Sequence, residues 1–117
     1  MDGLHALRTR VRLHICGNTR RILAGMGRLG CEIVDLDWMA PLSAARAEMG
    51  PRQVLLGNLD PVAALRDGSA ESVTAGVAAC HRQAGSRYIV GAGCEVCRDT
   101  ALANVQALAA YARSHTP

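Results

Sequence analysis

The chain of 117 residues has no lysine and no phenylalanine, and its aromatic rings besides histidine are Trp38, Tyr88 and Tyr111. An interior with so few rings has to be packed from Ala, Leu, Val, Ile and Met, which suits helices laid on a parallel sheet. The net charge of +3 rests on arginine, and the arginines are scattered among acids rather than gathered into a patch. Without a basic patch or stacking rings, nothing points to nucleic acid or to a membrane surface. No apolar run approaches the roughly 20 residues of a membrane span. Met1 to Arg12 is broken by polar and charged residues where a secretory leader would be apolar. The five cysteines are an odd number. They are expected to be reduced, in the cytoplasm, and to serve as core residues, ligands or nucleophiles.

What is present is an alternation of short β-branched runs with helical stretches. Val11–Cys16 reads as a strand. Asn18 or Thr19 then caps a helix to Leu29, with Ile22, Leu23, Met26 and Leu29 on one face and Gly30 as its stop. Cys31–Leu36 is a second strand, followed by a helix around Leu42–Met49. Gln53–Leu56 is a third strand, leading into Gly57-Asn58-Leu59-Asp60-Pro61. Ser69 caps a helix carrying Val73, Val77 and Cys80. Arg87–Val90 is a fourth strand, and Thr100 caps a last helix bearing Val105, Leu108 and Ala112. Met1 to Arg10 reads as the frayed end of a preceding helix. The first three strands start about 21 residues apart, and such repetition means parallel strands with right-handed crossovers. The pattern fits an open doubly wound sheet or part of a (β/α)8 barrel. A whole barrel needs roughly 250 residues, so four βα units make half of one. No linker or heptad pattern divides residues 1–117, which form a single unit.

Residues i and i+2 of a strand point to the same face, so His14 and Cys16 project together from the first strand end. Cys94 lies just beyond the fourth strand, after Gly91-Ala92-Gly93. In both parallel architectures the C-terminal strand ends gather on one side, where sites form. Two thiolates and an imidazole make a zinc donor set with one position open. The same residues also read as buried strand residues and a small loop hydrophobe. Cys94-Glu95-Val96-Cys97 is formally a CxxC, but no companion pattern supports a redox site, and Cys97 reads as a bystander or substitute ligand. Cys31 and Cys80 fall on core positions. Asp35 and Asp37 either line a barrel mouth or are solvated loop acids. Asn58 and Asp60 either orient a polar substrate or cap the next helix, with Pro61 at its first position. Asp37 and Asn58 are the candidate catalytic residues. His5, His81 and His115 read as surface residues.

Four blocks carry a family likeness: LHICGNTRRIL, GCEIVDLDW, VLLGNLDPVAAL and IVGAGCEVCRDTALANVQAL. In this order, from about residue 11 to residue 112, they resemble the C-terminal half of the uroporphyrinogen decarboxylase superfamily. Its corrinoid methyltransferases, such as the methylcobamide:coenzyme M methyltransferases, carry His-x-Cys and, after a long gap, Cys. His14, Cys16 and Cys94 match that motif. The heme-pathway decarboxylases have a glycine-rich turn at the first site and a His-containing loop at the second, and this chain has neither. It does share GCEIVDLDW and GNLDP with them.

The resemblance implies the C-terminal half of a TIM barrel with zinc on His14, Cys16 and Cys94. A small thiol would be the substrate, and a methylcorrinoid on a partner protein the methyl donor. Metal coordination deprotonates a thiol, and the thiolate then attacks the methyl group. The alternative implied is decarboxylation of uroporphyrinogen in porphyrin biosynthesis. In the decarboxylases the catalytic aspartate and the substrate-gripping arginines lie in the N-terminal half. A four-unit chain leaves its first and fourth strands as open edges. It is therefore expected to need a complementary N-terminal half, to close with a second copy as a homodimer, or to be a non-catalytic fragment.

Overall fold

In the computed structural model, which describes residues 1–115, a short helix α1 (Asp2–His5) precedes four strands. These are β1 (Arg12–Ile15), β2 (Ile33–Leu36), β3 (Val54–Leu59) and β4 (Tyr88–Ala92). Helices α2 (Leu23–Arg28), α3 (Leu42–Met49) and α4 (Ala70–Ala84) connect them, and α5 (Leu102–Ser114) follows β4. The strands are parallel and pair in sequence order, β1-β2-β3-β4. No helix among the described residues is long and apolar enough to cross a membrane.

Strand side chains alternate between two faces, and one face carries the buried core. Leu13, Val34, Leu36, Leu55 and Tyr88 pack with Leu23 and Met26 of α2, Leu42 and Ala45 of α3, and Ala84 of α4. Higher up, Leu59, Val90 and Ala92 meet Val73 and Val77 of α4 and Tyr111 of α5. Helices α2 to α5 thus cover one face. A doubly wound sheet would carry helices on both, so the molecule is a partial α/β barrel, one arc of its wall. The concave face presents Arg12, His14, Ile33, Asp35, Val54, Leu56 and Ile89 by alternation.

Several local expectations are corrected. The first helix splits into a tight turn (Arg20–Ile22) and α2, with Asn18 Oδ1 accepting from Arg20 N at 3.1 Å. Leu23 and Met26 are buried, whereas Ile22 and Leu29 are exposed. Gly30, at φ +72°, stops the helix as expected. The third strand runs on to Leu59, because Gly57, Asn58 and Leu59 pair with Val90, Gly91 and Ala92. Gly57 is required there: its φ is +115°, and a Cβ would meet the Leu36 carbonyl oxygen at 2.7 Å.

The caps divide in the same way. Asp60 Oδ1 accepts from Val62 N and Ala63 N at 2.8 and 3.0 Å, capping the wide turn Pro61–Arg66. Ser69 and Ser72 cap α4 reciprocally. Thr100 does not cap α5; its N–H donates to the Cys97 carbonyl, and the helix starts after Ala101. The buried stripe of α5 is set by Asn104 and Tyr111, leaving Ala112 exposed. Asn104 Nδ2 donates to the carbonyls of Leu65 and Gly68 at 2.8 and 2.9 Å. His81 is no free surface residue: it stacks on Tyr88, and its Nδ1 lies 3.0 Å from the Tyr111 hydroxyl.

Candidate metal centre

His14 is on β1, Cys16 directly follows it, and Cys94 lies two residues past β4, so the three come from opposite edges of the sheet. Three strand spacings would separate those edges by about 14 Å in a flat sheet. Yet the Cys16 and Cys94 sulfurs are 3.8 Å apart. Curvature and the path of the chain after β4 close the gap. Gly93 N donates to the Leu59 carbonyl, at the end of β3, at 2.8 Å. A Cβ on Gly93 would lie 2.3 Å from Trp38 N, just past β2. The loop therefore lies flat across the ends of β3 and β2 and delivers Cys94 to β1. Glycine at 93 is what permits that approach.

His14 Nε2 is 3.2 Å from Cys16 Sγ, and the three donor atoms lie within 4.8 Å of one another. Tetrahedral zinc, with bonds of about 2.3 Å to sulfur and 2.0–2.1 Å to nitrogen, asks for donor separations of about 3.6–3.8 Å. The His14–Cys16 and Cys16–Cys94 separations of 3.2 and 3.8 Å meet that requirement within a few tenths of an ångström, and the third lies within 4.8 Å. The donor types fit as well, and three ligands leave a fourth position open.

Asp35 orients the imidazole. His14 Nδ1 lies 3.2 Å from the Asp35 carbonyl oxygen and 3.3 Å from its Oδ2. A proton on Nδ1 shared with these oxygens leaves the Nε2 lone pair facing the sulfurs. Asp35 is 3% exposed. Its Oδ2 also accepts from Arg12 Nε at 3.0 Å and from Arg12 Nη2, and its Oδ1 has no partner among the described residues. The pairing could have been found in the sequence. Applying the strand-start spacing to His14 lands on Asp35, its partner in the β1–β2 register.

Asp37 and Asn58, the expected catalytic pair, are placed behind the cleft rather than in it. Asp37 Oδ2 accepts from Gly17 N at 2.6 Å and Oδ1 from Trp38 N at 2.7 Å. Gly17 turns its N–H inward at φ +92°. Asn58 Nδ2 donates to the carbonyls of Asp37 and Ala40 at 3.0 and 2.6 Å, and its Oδ1 faces Cys80 Sγ at 3.8 Å. Their polar atoms all point at protein, so together they brace the chain that follows Cys16.

A cleft of about 320 Å³ opens beside the cluster, lined by Arg12, His14, Cys16, Asp35, Cys94 and Glu95. A larger cavity of about 600 Å³, lined among others by Arg10, Cys31, Glu32, Arg52 and Arg87, lies at the opposite ends of the strands. Chemistry in this architecture belongs to the C-terminal strand ends, so the smaller cleft is the candidate site. The Cys16 thiol is pushed above the usual thiol range, chiefly by the hydrogen bond and charge of Cys94, then by burial and by Asp37 and Asp35. Such crowding of negative groups is what a cation relieves. Cys97 lies outside the cluster, near Arg66. Cys31 is buried in the core, and Cys80 is half-buried against it.

Comparison with known proteins gives the same family at three levels. The profile of the family described as uroporphyrinogen decarboxylase (URO-D) matches residues 1–115. The methylcobamide:CoM methyltransferase MtbA of Methanosarcina mazei is 33% identical over 122 residues, covering 98% of this chain and 33% of the relative. A uroporphyrinogen decarboxylase of Frankia casuarinae is 44% identical over 52 residues, 44% of this chain and 14% of the relative. A solved methyltransferase from Methanosarcina mazei superimposes with a TM-score of 0.82 at 25% identity, covering 94% of this chain and 32% of that one. The chain thus spans a third or less of the length of these relatives. Four parallel strands in sequence order, a helical layer on one face, and this match along almost the whole chain place it in the uroporphyrinogen decarboxylase family.

Proposed function

We propose that this chain is the zinc-holding part of an enzyme that passes a methyl group from a methylcorrinoid to a small thiol. The observation that carries the reading is the convergence of His14 Nε2, Cys16 Sγ and Cys94 Sγ from the two edges of the sheet. His14, Cys16 and Cys94 would hold the ion, and Asp35 would fix the imidazole that faces it. Zinc bound there would supply a Lewis acid that keeps a substrate thiol deprotonated near neutral pH. Asp37 and Asn58 hold the Cys16 strand end in place, and the cleft beside Arg12 receives the thiol. The methylcorrinoid arrives on a partner protein from the open, concave side. The protein is read as cytoplasmic, where thiols stay reduced. Because the chain spans a third of the methyltransferase relative, turnover needs the remaining wall of the barrel, supplied by a complementary half or a second copy.

The test starts with metal. Reduced chain equilibrated with zinc and passed through a desalting column should retain one equivalent per chain. The Cys16→Ser and Cys94→Ser variants should retain none. Methyl transfer is then followed as loss of methylcorrinoid absorbance when thiol, methylcobalamin and the completed barrel are mixed. Reduced protein that retains no zinc, and whose Cys16 alkylates fully in excess zinc, would overturn the reading. The second reading, a decarboxylase acting on a tetrapyrrole, is favoured by the higher local identity to the Frankia enzyme. It gives the three convergent donors no task, and its test is uroporphyrinogen turnover, expected to be absent from this chain alone.

A further inference from the structure

Of the described thiols, Cys16 is exposed and Cys94 half-exposed, and both border the open cleft. Their sulfurs are 3.8 Å apart, and a disulfide needs about 2.05 Å, so closure takes a movement of about 1.8 Å. Both partners are braced through a neighbouring glycine, Cys16 by Gly17 N on Asp37 and Cys94 by Gly93 N on the Leu59 carbonyl. Cys97, three positions on from Cys94, stands outside the donor cluster and near Arg66. Cys31 is buried, and Cys80 is half-buried against Asn58, which leaves Cys16 as the neighbour within reach.

We propose that Cys16 and Cys94 are an oxidation site at which hydrogen peroxide closes a disulfide and withdraws both sulfur donors of the metal centre at once. One sulfur attacks a peroxide oxygen; the O–O bond breaks, giving a sulfenic acid and one water. The second sulfur attacks the sulfenic sulfur; the S–O bond breaks, and a second water leaves. Two electrons pass from the two sulfurs to the peroxide, and both thiol protons end in water. A thiol reductant reverses the bond by exchange. The loss of metal rests on the zinc reading above; the bond itself rests on the sulfur geometry alone.

The experiment treats reduced, metal-free chain with one equivalent of hydrogen peroxide, alkylates the remaining thiols, and maps tryptic peptides by mass. The expected product joins the peptide Leu13–Arg20 to the peptide Tyr88–Arg98 through Cys94, with Cys97 alkylated. Cys97→Ser should form the link as well as the native chain, and dithiothreitol should remove it. In a parallel sample preloaded with zinc, a chromophoric chelator should register one ion released per disulfide formed. A link between Cys94 and Cys97, or sulfinic acid on Cys16 without a link, would overturn the proposal. The two readings fail separately. A reduced sample that never binds zinc sinks the metal centre and leaves the cross-link result standing. A chain that binds zinc but forms no Cys16–Cys94 bond sinks only the oxidation site.

Discussion

His14 and Asp35 face each other directly across the β1–β2 ladder, with His14 Nδ1 3.3 Å from Asp35 Oδ2 and 3.2 Å from the Asp35 carbonyl. A metal-binding imidazole is usually oriented in this way, by a carboxylate or carbonyl on its far nitrogen. Arg12 holds the same carboxylate oxygen from one turn of the pleat below, so Asp35 is fixed from two sides. Asp35→Asn should weaken zinc binding by about 10–100-fold while the protein remains folded. Competition against a chromophoric chelator measures it, with circular dichroism as the folding control. An affinity within about twofold of the native chain would show that the carbonyl alone orients the ring.

Gly93→Ala tests how Cys94 reaches the cluster. The new methyl group would sit 2.3 Å from Trp38 N, and the obstacle is backbone, which cannot swing aside. The loop must lift, at a cost of about 1–3 kcal/mol in urea unfolding. The same lift should loosen zinc, because Cys94 is the next residue. Unchanged stability and unchanged zinc affinity would mean that the loop does not need this close approach.

Asn58→Ala removes a brace rather than a reactive group. It strands the buried carbonyls of Asp37 and Ala40, each worth about 1–3 kcal/mol when left without a donor. Asn58→Asp should rescue nothing, since an ionised carboxylate has no N–H to give. Urea midpoints of both variants decide it. A variant as stable as the native chain would return Asn58 to the list of groups available to a substrate.

The acid limb of stability should carry the mark of Glu32. Its Oε2 accepts from Val11 N at 2.7 Å, and His5 Nε2 lies 3.2 Å from Oε1. These contacts, the Val11 N–H foremost, hold its carboxyl below the usual glutamate range. A depressed folded-state pKa contributes stability above the unfolded value of about 4.3, and that contribution disappears as pH falls through the folded value. Glu32→Gln should therefore be less stable than the native chain at neutral pH, with the two converging below about pH 4. Urea midpoints measured across this range check it; a gap constant with pH would assign the loss to packing.

Much of this was legible in the sequence because it depends on local repetition. The β-branched runs gave the strands, and the i, i+2 rule put His14 and Cys16 on one face. What stayed hidden depends on pairing between distant segments. The extension of β3 to Leu59 exists because β4 lies alongside, and local reading discounts the glycine at 57. The phase of α5 follows from Asn104 reaching the Leu65 and Gly68 carbonyls, 39 and 36 residues away. Asp35 reads in the sequence as either a barrel-mouth residue or a loop acid, and only the register sets it opposite His14. Cys97, open in the sequence between bystander and substitute ligand, stands outside the donor cluster.

The two edges of the sheet meet at the candidate metal centre, and this gives the centre a mechanical meaning. An ion gripped by Cys16 and Cys94 would buckle together residues 78 positions apart. By the entropy treatment used for cross-links, such a hoop removes about 4–5 kcal/mol of freedom from the unfolded chain. The arc of wall between β1 and β4 is then under the ion's control. Flattening the arc would pull the donors apart, and losing the ion would let the arc relax. How strongly the protein is curved and how tightly it would hold an ion there are two measures of one spring.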